Sequence, residues 1–94
     1  MEASSAGDVL ERLTGIRYAV AETLHDASGW LSAGDISRAC DVNEGTVREV
    51  LRAVDARGWL MSQRVPQLDK PPVNVYKVRP GGRQLLGELL AAAR

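Results

Sequence analysis

Apolar residues recur along this chain with two different periods. Val9, Leu13, Ile16, Val20 and Leu24 step by three or four, which sets them on one face of a helix. Asp8 is placed to cap that helix, which is expected to run to about Ala27 before Gly29 stops it. Trp30 and Leu31 are too brief an apolar pair for a helix and suit a small strand. Ser32 and Asp35, three residues apart, resemble a capping box with Asp in place of the usual Glu or Gln. They open a short helix over Ala33 to Cys40. Asp41, Val42 and Asn43 form a polar turn, and Asn43 is a good N-cap for a further helix running to about Arg57, with Val47, Val50, Leu51 and Val54 on one face. Gly58 supplies its C-terminal stop.

Past Gly58 the pattern changes to strand. Trp59 to Val65 and Val73 to Arg79 are rich in branched and aromatic residues. The segment between them, PQLDKPP, reads as a stiff proline-rich hairpin tip. Pro80-Gly81-Gly82 breaks the second strand, and Arg83 to Ala93 forms a last helix carrying Leu85, Leu86, Leu89 and Leu90. The order is helix, short strand, helix, helix, strand, strand, helix: a mainly α, α+β arrangement with the topology of a winged helix-turn-helix, in which the hairpin over residues 59–79 is the wing. Ile36, Cys40, Val42, Val47 and Val50 meet in one small core only if the two central helices cross steeply.

The chain has 94 residues, 45% of them apolar, which bounds it to one domain. Residues 1–7 are small and polar and are expected to form a disordered tail ahead of a domain over 8–94. No apolar run approaches the ~18 residues of a membrane span. The start, MEASSAGD, lacks the basic and apolar stretches of a secretory signal. With a single cysteine, Cys40, the expectation is a cytoplasmic, nucleoid-associated protein.

Charge changes this picture by its distribution. The formal net charge is zero, yet residues 1–35 hold two arginines against six acids, and residues 36–94 hold ten basic against six acidic residues. One end of such a chain can face phosphates while the other does not. The same unevenness is also found in ordinary solvated surfaces.

With the valines of residues 44–57 turned inward, that helix exposes Glu44, Gly45, Thr46, Arg48, Glu49 and Arg52. A helix of this kind reads base edges mainly through its N-terminal half. Arg48 is the first candidate for a base contact, because its two-donor fork matches guanine O6 and N7. Arg52, one turn on, suits a phosphate or a base. Thr46 suits a thymine methyl or a phosphate, and Gly45 permits close backbone approach. Glu44 and Glu49 can accept from cytosine, and Glu49 can instead orient a nearby arginine. Asn43 stands at the helix start among these candidates. In the wing, Arg64 and Lys77 are candidate phosphate contacts, and Lys70 is placed to reach a minor groove. A solvated helix face and a charged hairpin protecting a sheet edge are the bland alternatives.

Other chemistry is not suggested. Cys40 and His25, fifteen residues apart, make a poor metal site. The serines and aspartates show no nucleophile-and-base spacing, and there is no glycine-rich phosphate loop. Neither enzymatic activity nor a cofactor or metal is expected. Trp30 and Trp59 are expected to pack around the small sheet, Cys40 between the two central helices, and His25 near the end of the first helix.

The stretch from Trp30 to Leu90 resembles the winged helix-turn-helix transcription regulators of bacteria and their phages. TVREVLRAVDARGWL is similar to the recognition helix and first wing strand of PadR-like and MarR-like regulators, and YKVRPGGRQLL to a returning-strand segment common in PadR-like proteins. The resemblance implies a double-stranded-DNA-binding regulator, acting as a repressor, with Thr46, Arg48 and Arg52 toward the major groove and Arg64, Lys70 and Lys77 on the wing contacts. It also implies a homodimer on a partly palindromic site. Leu86, Leu89 and Leu90, with Val9 and Leu13, are expected to supply apolar surface for that dimer. The effector ligand is left unspecified. Two departures are Arg79-Pro80 in place of a small polar residue and its neighbour, and a final helix shorter than the usual dimerisation helix. The alternative is a winged helix used for protein interaction, as an adaptor or antagonist of another regulator.

Overall fold

The structure is a computed structural model that describes residues 9–93. The expected tail over residues 1–7 and the Asp8 cap lie outside the described residues. The elements are α1 (Gly15–Asp26), β1 (Leu31–Ser32), α2 (Ala33–Cys40), α3 (Glu44–Ala56), β2 (Leu60–Gln67), β3 (Lys70–Val78) and α4 (Pro80–Ala93). Residues 9–11 are also helical, but they do not continue into α1. The single N-terminal helix expected from the spacing is therefore broken. Thr14 is extended, and Gly15 follows at φ +54, a backbone angle that glycine adopts without a Cβ penalty. The break re-phases the helix. Leu10 and Leu13 enter the core before it and Val20 and Leu24 after it, whereas Ile16, expected on the same face, is 51% exposed.

The two central helices start as their caps dictate. The Ser32 hydroxyl accepts from the Asp35 N–H at 3.0 Å, and the Ser32 N–H donates to Asp35 Oδ2 at 2.9 Å, a complete capping box. The Ser32 N–H holds the Asp35 carboxyl below its usual range. Partial burial opposes that effect, while the Ser32 hydroxyl and the Arg38 guanidinium reinforce it. Asp41 closes α2 in the left-handed conformation, and the Ser37 hydroxyl donates to the Val42 carbonyl across the turn. Asn43 then caps α3 through its side-chain oxygen, which accepts from the Thr46 N–H at 2.9 Å. Gly58, at φ +76, turns the chain out of α3 toward β2.

Burial follows the 3.6-residue period. Ile36, Val47, Val50 and Val54 are sealed from solvent and Val42 nearly so, so the turn and both helices share one core. Each such aliphatic side chain contributes roughly 1.5–3 kcal/mol on burial. Cys40 differs from expectation. It is half-buried and faces α1, with its sulfur 3.0 Å from Thr23 Oγ1 and 3.5 Å from the Ala19 carbonyl. α1 packs against α2, α3 and α4, so it is the spine on which the helices assemble.

The three-stranded antiparallel sheet has the order β1-β3-β2, with Leu31 opposite Tyr76 and Leu60 opposite Val78. The short early strand thus pairs beside the hairpin as its sequence suggests. The tip does not match expectation, because the strands run through PQLDKPP and leave only Leu68 and Asp69 as the turn. Pro66, Pro71 and Pro72 are tolerated for geometric reasons. β2 is an edge strand, β1 reaches only Val75 and Tyr76 of β3, and the register shifts between Val65 and Gln67 with one extra residue on β3. Asp69 takes the left-handed turn position at φ +62. Trp59 and Arg79 lie just outside the strands and are joined by an Arg79 N–H to Trp59 carbonyl bond of 2.7 Å.

α4 begins at Pro80 and not at Arg83. Proline is favoured in the first helical turn, where its missing N–H has no intrahelical partner to lose. The helix closes the core with Leu86 and Leu90, which are 0% and 4% exposed. These residues and Leu13 are therefore interior to one chain. They do not form the spare apolar surface expected for dimerisation. Leu89 and Val9 are partly buried against the same core, and Leu85, at 44%, is the exposed leucine of this helix. Gly82 lets α4 approach Trp59, because a Cβ on Gly82 would lie 2.4 Å from Trp59 Cβ. Trp59 also stacks with Arg57, whose guanidinium carbon is 5.2 Å from the ring centre. Trp30 is 40% exposed and covers less of the sheet than expected.

Candidate nucleic-acid interface

One edge of α3 is left uncovered, and the hairpin stands beside it. The inward positions Val47, Val50, Leu51 and Val54 hold the helix to the core. The 100° step per residue then turns Gly45, Arg48, Glu49 and Arg52 outward. Arg48 and Arg52 share a cleft of about 230 Å³ with Leu51, Asp55, Leu60, Ser62 and Tyr76. A second hollow of about 330 Å³ lies between the starts of α2 and α3 and the hairpin, with Glu44, Arg48, Asn74 and Tyr76 on its walls. Arg48 and Tyr76 border both, so they form the ridge between α3 and the hairpin.

The charged groups on this edge are not equally available. The Arg48 Nη2 donates to Glu44 Oε1 at 2.9 Å one turn earlier, and both side chains are about half exposed. Glu49 accepts from Arg17 Nε on α1 at 2.8 Å. The option that Glu49 orients an arginine is thus realised in the structure, with an arginine from outside the helix. Arg52, Arg64, Lys70 and Lys77 have no ion pair among the described residues. Arg52, Arg64 and Lys70 are exposed, and Lys77 is half-buried.

Three candidates have a local structural duty. The Asn43 oxygen is committed to the cap, leaving its amide NH₂ to donate outward. The Thr46 N–H is the donor to that cap, and Thr46 itself is half-buried. A Cβ on Gly45 would come within 3.1 Å of the Asn43 oxygen, so glycine here protects the cap as well as keeping the helix start narrow. Arg64 and Lys70 are carried on the hairpin well beyond the core, with Arg64 opposite Asn74 and Lys70 opposite Gln67.

Sequence reasoning did not single out Tyr76, Asn74, Ser62 or Arg17 for this surface. The first three depend on hairpin register, and Arg17 lies 32 residues before the residue it meets. No local periodicity encodes either relationship. His25, half-buried at the end of α1, bonds through Nδ1 to Asp26 Oδ1 at 2.8 Å and faces Gly87. Among the described residues no group of three or more His, Cys, Asp or Glu side chains is placed to hold a metal. No helix there is long and apolar enough to cross a membrane.

No protein-family model matches the chain, and no curated protein matches it in sequence. Solved structures do. A PadR-like transcription factor from Bacteroides fragilis superposes with a TM-score of 0.67 at 27% identity, over 94% of this chain and 82% of that one. The candidate HTH-type transcriptional regulator ytcD gives 0.63 at 21% identity, over 96% and 90%. A chain from Methanosarcina mazei Go1 described as a possible transcriptional regulator gives 0.62 at 15% identity, over 90% and 72%. The last two likenesses are of fold. The architecture is thus that of PadR-like winged-helix structures, and the MarR-like half of the resemblance receives no specific support.

Proposed function

We propose that this protein is a sequence-specific double-stranded-DNA-binding transcriptional regulator that acts as a repressor, without catalysis. α3 enters the major groove with Arg48 and Arg52 foremost, and the hairpin lies on the backbone or in the minor groove. The observation that carries this reading is the uncovered arginine edge of α3 beside a basic hairpin, with Arg48 and Tyr76 shared between the two clefts. A helix held to the core by valines on one side and presenting guanidinium forks on the other has the geometry that direct readout requires. Arg64, Lys70 and Lys77 lack carboxylate partners among the described residues, so phosphates can engage them without displacing an internal ion pair. The likeness to the Bacteroides fragilis transcription factor supports the same assignment. Repression follows from occupancy of a promoter site, and a homodimer would pair two half-sites in the cytoplasm.

One observation favours a second reading, a winged helix that docks on another protein. The net charge is zero, and on the α3 edge Glu44 pairs with Arg48, Glu49 pairs with Arg17 and Asp55 adds a third carboxylate, which lowers its pull on DNA. Duplexes selected by the protein from a random pool, then titrated by fluorescence polarisation at two salt concentrations, separate the two. The regulator reading expects tight, salt-dependent binding to the selected duplex and weaker binding to random DNA. Absence of binding at low salt overturns it in favour of the adaptor.

A further inference from the structure

We infer that Arg17 of α1 is a third element of the DNA interface, a phosphate contact on the strand opposite the one met by the wing. This rests on the reading of α3 as the recognition helix. At 100° per residue, Glu49 lies about 60° round the helix from Arg52 and about 40° from Gly45, on the same side of both. Ala53, next round, and Val50 beyond it are buried, so Glu49 marks one margin of the uncovered face. Arg48, Arg52 and Asp55 turn toward the hairpin, since they share a cleft with Ser62 and Tyr76. Glu49 turns the other way and meets Arg17. The exposed edge of α3 therefore runs between the wing on one flank and the Arg17 guanidinium on the other. A helix seated in a major groove roughly 12 Å wide has a phosphate strand on each side. The wing cations face one strand and Arg17 faces the other.

The ion pair fits a positioning role for Glu49. It engages Arg17 through Nε only, at 2.8 Å. The two terminal nitrogens of Arg17 make no hydrogen bond among the described residues, and the side chain is 43% exposed. A guanidinium held at Nε is fixed in direction while keeping donors for a phosphate, a smaller entropic cost than ordering a free side chain. The pair also neutralises a carboxylate that would otherwise face the DNA backbone.

The experiment uses the full chain and a random-sequence duplex, titrated by fluorescence polarisation across a salt series. Arg17→Ala is expected to weaken binding roughly tenfold at about 0.1 M salt and to reduce the slope of log K against log salt by about 0.9, the value of one phosphate contact. Arg17→Lys should retain the slope. Glu49→Gln should keep the wild-type slope and bind as well or better. Arg17→Gln replaces Arg17→Ala if thermal melting shows that the alanine variant is unfolded. A wild-type slope in Arg17→Ala or Arg17→Gln overturns the inference. So does a loss in Glu49→Gln equal to that in the Arg17 variant, because the pair would then act only through structure. If the wild-type protein itself binds no duplex at low salt, the regulator reading fails on that arm alone and takes this inference with it.

Discussion

Glu44 accepts a 2.9 Å hydrogen bond from Arg48, four residues later on α3. The guanidinium to which the proposed function gives a base is thus held by a carboxylate of its own helix. Glu lying N-terminal to Arg at this spacing suits the helix dipole, so the pair steadies the first turns of α3 by a few tenths of a kcal/mol. Under the proposed function the consequence is competition, because DNA then has to offer Arg48 a better partner than Glu44.

Removing that competitor should loosen discrimination. Glu44→Gln is expected to raise affinity for random duplex DNA roughly threefold, the scale of one exposed ion pair. The gap between selected and random sequences should narrow. Paired polarisation titrations check this, and an unchanged ratio would place Glu44 outside recognition.

Arg48→Ala should cost about 1–3 kcal/mol on the selected duplex and distinctly less on random DNA. Lys77→Ala should weaken both alike and lower the salt slope by about 1. Equal losses on every sequence for Arg48→Ala would remove it from the base-reading role.

Gly82→Ala should destabilise the fold without altering any surface charge. The added Cβ would stand 2.4 Å from Trp59 Cβ and 2.9 Å from the Trp59 backbone, so α4 or the β2 entry has to move. Overpacking of this kind costs about 1–3 kcal/mol, which lowers Tm by roughly 5 °C or more in a domain this small. Calorimetry of the variant gives the answer directly, and an unchanged Tm would mean the contact relaxes freely.

Asp35 links stability to acid. Its folded-state pKa is depressed, chiefly by the Ser32 N–H. Its contribution is therefore complete above the ordinary carboxylate range and is lost as pH falls through the lower folded value. The stability difference between wild type and Asp35→Asn should be largest near neutrality and shrink as pH falls below the ordinary carboxylate range. Chemical denaturation at several pH values measures it, and a difference that stays constant into acid would contradict the linkage.

Much of the architecture was legible because its signals are local. Asn43 and the Ser32–Asp35 box marked the starts of α3 and α2 to the residue, since an N-cap satisfies backbone donors only two or three positions away. The inward valines of α3 and the turn residue Val42 were equally readable from period alone. The failures were of another kind. The pattern through Val9, Leu13 and Ile16 spans a break that Gly15 introduces, and periodicity has no term for one residue at positive φ. PQLDKPP looked like a loop because proline is costly within a sheet, and that cost vanishes only where neighbouring strands are missing. The leucines of α4 looked like surplus apolar surface until packing against α1 drew Leu86 and Leu90 into the core.

The sequence by itself determined the order of elements, the caps, the inward face of α3 and the chemistry available on its outward face. Each depends on residues within about one or two helical turns. Tertiary structure decided which of those outward groups are engaged and by whom. The Arg48–Glu44 pair stays within one helix, but Arg17 reaches Glu49 across 32 residues, and Tyr76 comes to Arg48 only through the hairpin's register. Chain separation carries no information about such meetings. They are set by how α1 crosses the helix pair and where β3 pairs, which are properties of the packed core.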